Sequence, residues 1–142
     1  MAIEIDVNEL ARLEAEFPAG TPLYVLNLLS FRASARYPDG VTPVGPTGQD
    51  AYFKGYLPAF GRIAAAKGIT DVKPVWIGSV RGIIAGAAED RWHAIAIVEY
   101  PSVATFRAIA ESADYARTAE PMRRAALEDW RLIAHSKMEM PG

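Results

Sequence analysis

The stretch Tyr24-Val25-Leu26-Asn27-Leu28-Leu29-Ser30-Phe31-Arg32 sets one amide, Asn27, inside a run otherwise suited to a central β-strand. Continuous apolar runs rich in Val and Leu belong to strands covered on both faces, since successive side chains then point into apolar layers on opposite sides. An unpaired polar group buried there costs about 1–3 kcal/mol. Asn27 therefore either ties the sheet together or looks into a cavity that supplies its partners.

Composition bounds what can be built around that strand. At 142 residues and 51% hydrophobic the chain is long enough for one well-buried core and too short for two ordinary domains, so a single domain over 1–142 is expected. A net charge of -2 leaves no basic footprint for nucleic acid or an anionic membrane. No apolar run reaches the ~18 residues of a membrane span, and Glu4 and Asp6 stand where a secretory signal carries positive charge. A soluble cytoplasmic protein is the expectation. The absence of cysteine excludes disulfides, thiolate catalysis and cysteine-held metals.

Periodicity places the elements. Asp6-x-x-Glu9 has the form of a capping box, and Val7, Leu10, Leu13 and Phe17 recur at helical spacing before Pro18 and Gly20, which predicts a helical extension over 1–20. The core over 21–137 opens with a strand at 23–31. The stretch 33–48 holds three prolines and three glycines without periodicity and reads as a long loop, a pocket lid or an inert insertion. Phe53, Leu57, Phe60 and Ala64 mark one helix face, which Pro58 must bend or restart, having no N–H for the carbonyl of Lys54. Val75–Val80 and His93–Tyr100 read as a hairpin of strands. Pro101-Ser102 starts a further helix, a second helical piece follows, and Trp130–Ser136 closes the chain as a strand.

This order is the split βαβ, ferredoxin-like plan: an α+β fold with antiparallel strands in the order four-one-three-two and helices on one face. Period-two counting puts Gly78, Ala94, Ala96 and Ala134 under the helices. The opposite face then carries Val75, Ile77, Ser79 and Arg81; His93, Ile95, Ile97 and Glu99; Arg131, Ile133 and His135; and Asn27 with Val25 and Leu29. Its apolar half needs a partner sheet, which a homodimer supplies by symmetry.

Asn27-Leu28-Leu29-Ser30-Phe31-Arg32, Glu99-Tyr100-Pro101-Ser102 before a helix, Asp114-Tyr115 and Arg123-Arg124-Ala125-Ala126-Leu127-Glu128-Asp129 together resemble the domain-of-unknown-function family numbered 1330, of the dimeric α+β-barrel superfamily. The resemblance spans most of the chain. It implies a homodimer with a lumen between two sheets and no particular reaction.

The chemical candidates follow from the expected faces. His93 and His135, the only histidines, fall on strands separated by a third, about 10 Å apart at least, so no metal site is expected within one protomer, which leaves only one shared across a dimer. His93 with Glu99 is the candidate catalytic pair, a general base and its carboxylate partner. Asn27 is a candidate amide donor to a ligand, and Arg32, at the end of the same strand, a clamp for a carboxylate. Arg123 lies off the exposed stripe of Arg117, Glu120, Arg124 and Glu128 and matches the arginine of the resembled family, which implies a ligand-binding role for it. Trp76 and Tyr115 are candidate pocket walls. Without a glycine-rich phosphate loop or a serine elbow, no nucleotide cofactor is expected. Three functions fit: a homodimeric protein binding a small molecule in its lumen, a cofactor-independent enzyme acting there by proton transfer or oxygenation, or a purely structural protein whose lumen is packed solid.

Overall fold

The computed structural model describes residues 3–142. In chain order the elements are α1 (Val7–Glu16), β1 (Leu23–Phe31), α2 (Gly48–Asp50), a π-helical turn π1 (Ala51–Tyr56), α3 (Leu57–Ala66), β2 (Lys73–Ser79), β3 (Ala94–Tyr100), α4 (Val103–Ala110), a second π turn π2 (Tyr115–Ala119), α5 (Glu120–Ala126) and β4 (Leu127–His135). The strands form one antiparallel sheet in the order β2-β3-β1-β4, which is the expected order read from the other edge. No helix among the described residues is long and apolar enough to cross a membrane.

Local chemistry explains most of these boundaries. Asp6 caps α1 by accepting from the N–H groups of Asn8 and Glu9 at 3.1 and 3.0 Å, while Glu9 turns away to pair with Arg12. Thr47 and Asp50 form a full capping box at α2. Pro58 and Pro121 each stand second in a new helix, immediately after a π turn. The π turns close bonds five residues back, from Leu57 N–H to Tyr52 and from Glu120 N–H to Tyr115, and each proline then falls where a missing N–H costs nothing. Pro58 thus restarts the helix.

The helices cover one face of the sheet with two clusters. Leu29, Ala94, Leu127 and Trp130 join the π turns, α3 and α5; Leu23, Val25 and Tyr100 join α1 and α4 through Leu10, Val103 and Phe106. Cross-strand partners share a face, so the pairing of Asn27 with Ala96 and Leu132 puts Asn27 on the helix side, between Val25 of one cluster and Leu29 of the other. This corrects the expected assignment of Val25, Asn27 and Leu29 to the open face. The run is apolar on both sides, and period two alone cannot decide which side faces the helices. The open face instead carries Tyr24, Leu26 and Leu28 opposite Glu99, Ile97 and Ile95 of β3 and opposite His135, Ile133 and Arg131 of β4.

On β2 the alternation reverses at Val75, an extra residue between Pro74, paired with Val98, and Trp76, paired with Ile97. A bulge adds one residue and flips every side chain beyond it. Trp76 and Gly78 therefore join the open face, and Ile77 and Ser79 take the face expected for Gly78.

The 33–48 loop is held closed. The Tyr37 hydroxyl donates to Gly45 O at 2.7 Å and accepts from Val44 N–H, while Arg36 N–H bonds to Ala125 O. At its end Gly48 N–H donates to Arg32 O at 2.9 Å, and a Cβ on Gly48 would lie 2.4 Å from both Arg32 O and Ala126 O. Those are backbone atoms that cannot swing aside. Gly48→Ala is expected to lower stability by about 1–3 kcal/mol, the cost of overpacking, whereas Gly61→Ala, where nothing lies within 4 Å, should not; urea unfolding of the two variants checks this.

Candidate functional site

The two π turns bring their tyrosines together. Tyr56 of π1 and Tyr115 of π2 meet edge-on with hydroxyls 3.0 Å apart, and Tyr52 stacks on Tyr56. Burial drives the phenols of Tyr52, Tyr56 and Tyr100 well above the ordinary tyrosine range. It raises Tyr115 as well, although there the Tyr56 hydrogen bond and the neighbouring Arg123 guanidinium pull the other way. These phenols are neutral donors and acceptors.

Arg123 is next in line, on α5. Its side chain is 5% exposed, lies 4.4 Å above the Trp130 ring, and donates from Nη1 to Ile3 O at 3.0 Å. Trp130 Nε1 donates to the same carbonyl at 2.9 Å. Nη2 is 3.4 Å from carboxylate oxygens of both Glu4 and Glu120, and Nε has no hydrogen-bond partner among the described residues. Arg124 holds Glu120 at 2.9 Å and also pairs with Glu4. Arg32 donates from Nε to Arg124 O at 3.1 Å. Arg32, Arg123 and Arg124 line a small cavity of about 90 Å³ with Ile3, Leu127, Trp130 and the carboxylate residues Glu128 and Asp129.

Ile3 and Trp130 also border a larger cavity, about 440 Å³, between α1 and the sheet. Its walls are Leu10 and Leu13 of α1, Leu23 and Val25 of β1, Phe106 of α4, and Leu132 and Ala134 of β4. Glu4, Asp6, Glu9, Arg12 and Arg131 supply its polar border. An apolar chamber thus adjoins a pole where three arginines meet the carboxylates of Glu4, Glu120, Glu128 and Asp129, with the segment Ile3–Asp6 bordering both.

The other candidates are dispersed. Asn27 donates to the carbonyls of Val25 and Ala96 at 3.2 and 3.3 Å, which is the sheet-tying role. His93 lies just before β3 and accepts Phe31 N–H at Nδ1, 2.9 Å, with its ring stacked on Phe31. A neutral imidazole has one lone pair; in His93 it completes the sheet ladder, so the ring offers solvent an N–H instead of a base. Glu99 is six residues further along the same direction, about 20 Å away at strand rise, and the catalytic pair is not assembled. Trp76 stands 63% exposed on the open face, far from burial in a pocket wall. Tyr115 is buried in the tyrosine cluster, and Arg32 and Arg123 do come together. Of the expected ion-pair stripe, Glu120 and Arg124 pair while Arg117 turns back to Asp114. Among the described residues no three His, Asp or Glu side chains are grouped to hold a metal ion.

The sequence reading missed the chamber under α1 and the part played by Ile3 and Glu4, since contacts across some 120 positions leave no local pattern. The paired prolines were the available signal for the π turns. Because the folded phenols of Tyr52, Tyr56, Tyr100 and Tyr115 hold their protons above the unfolded value of about 10, their contribution is fully present below that pH and is lost as pH rises. Their ionisation, followed by ultraviolet difference absorbance, is expected to coincide with loss of the near-ultraviolet dichroism above about pH 10.

No family model matches the chain, and no curated protein matches it. Two solved structures are similar over nearly its whole length. The methylated RPA0582 protein is 31% identical, with a TM-score of 0.78 over 97% of this chain and 96% of that one. A second structure of RPA0582, described as a protein of unknown function from Rhodopseudomonas palustris, is 31% identical with a TM-score of 0.76 over 97% and 98%. With that identity over that coverage, the chain belongs to the family of the R. palustris RPA0582 protein.

Proposed function

We propose that the chain is the ferredoxin-like protomer of a homodimer that binds a small, largely apolar molecule in the chamber under α1. The observation that carries the binding reading is the chamber itself: about 440 Å³, apolar on its walls and polar along its border, within the range of ligand sites. Proton-transfer catalysis gains less support, because His93 spends its lone pair on Phe31 N–H and Glu99 is about 20 Å distant.

The open sheet face supports the dimer. Leu26, Leu28, Ile95 and Ile97 line its middle, and Trp76 and Ile133 stand 63% and 45% exposed beside them. A continuous apolar face of this kind is uncommon on a monomer. Its charged and imidazole groups, Lys73, Glu99, Arg131 and His135, lie toward its ends and on β4, leaving the middle with nothing to orient a ligand. Two such faces packed as a dimeric α+β barrel therefore make a dry contact, with binding on the helix side of each sheet.

Light scattering at micromolar concentration is expected to give a dimer, and Ile97→Glu, which puts a charge into the contact, a folded monomer; a wild-type monomer would refute the assembly. Ala134→Trp fills the chamber from β4 and should abolish octanol binding, measured by calorimetry, without dissociating the dimer.

A further inference from the structure

We infer that the chamber's ligand is a carboxylate, and that Glu4 occupies its headgroup site as a built-in competitor; this deepens the binding reading above and rests on it. Three observations converge. Arg123 is a cation with 5% of its side chain exposed, and its buried Nε has no hydrogen-bond partner among the described residues. The anion now held there is a side chain on a segment with no regular structure: the Glu4 carboxylate lies between Arg123 Nη2 and Arg124. Glu4 also borders the apolar chamber, so a carboxylate in its place would carry an attached chain directly among Leu10, Leu13 and Leu132.

The outer of the two Glu4 ion pairs is weak. Glu4 and Arg124 are both about half exposed, and ion pairs in such settings contribute little net stability because water and ions screen them. Lifting segment 3–5 uncovers the partly buried Ile3 and Ile5 but leaves α1 wound, because its first turn is capped separately by Asp6 and anchored by Leu10. Its withdrawal also frees the Trp130 N–H and Arg123 Nη1, which both donate to Ile3 O, for the second oxygen of the incoming headgroup. Arginine forks suit that geometry, since a carboxylate accepts parallel N–H bonds from more than one donor.

Octanoate and octanol, identical in chain and different in charge at neutral pH, separate this inference from the one beneath it. Calorimetry on the intact protein is expected to show Glu4→Gln tightening octanoate about two- to fivefold, the worth of one exposed ion pair, with octanol unchanged. Arg124→Gln added to Glu4→Gln should then weaken octanoate again and leave octanol alone. If octanol binds and octanoate responds to neither substitution, the carboxylate inference fails while the binding reading stands. If neither molecule binds wild type or variants, both fail.

Discussion

The central strand β1 presents apolar side chains to both sides of the sheet, and the helices cover one of them. Leu23, Val25 and Leu29 disappear under helices, each worth about 1.5–3 kcal/mol, while Leu26 and Leu28 remain on the open side with Ile95, Ile97 and Ile133. The rest of the architecture answers to this division. Small residues, Ala94, Ala96 and Ala134, gather on the covered side, where helices must approach the backbone. Bulkier ones gather on the open side, and the β2 bulge at Val75 turns Trp76 toward them. Asn27 belongs to the covered side as well, and its bonds to two sheet carbonyls mark the seam between the two helix-side clusters.

One end of the covered side is organised around a buried charge. Placing Arg123 under the N-terminal segment would be costly without partners, and the structure supplies an aromatic face, a main-chain carbonyl and two carboxylates. The two π turns set the tyrosines beside it, and their neutral hydroxyls satisfy each other without adding charge. The same arrangement ties Ile3 and Glu4 to α5 and β4, across the whole length of the chain. An arginine-rich pole next to an apolar chamber is thus a by-product of how the N-terminus is fastened.

Much of the fold was legible in the sequence. The capping residue Asp6, the break at Pro58 and the β3 and β4 sides of the open face follow from local spacing, because caps, prolines and alternation act within a few residues; the strand order follows from the succession of elements. The candidate site was legible only in part. Arg32 and Arg123 were singled out and do share a cavity, whereas Asn27, His93 and Glu99 were expected to converge and do not. The error has a definite source: His93 and Glu99 share a face by parity but are separated by the length of a strand, and Asn27 sits on a strand whose two faces look alike.

The sequence by itself determined which segments become helix and strand, and that one face of the sheet would be left uncovered, since those outcomes depend on periodicity and on how many helices the chain can form. The tertiary structure alone decided which side of β1 is covered, where the bulge reverses β2, and that Ile3 and Glu4 meet Arg123 beside a chamber. These depend on register and on contacts across some 120 residues, and a shift of one residue in pairing, invisible in composition, exchanges the two faces of a strand.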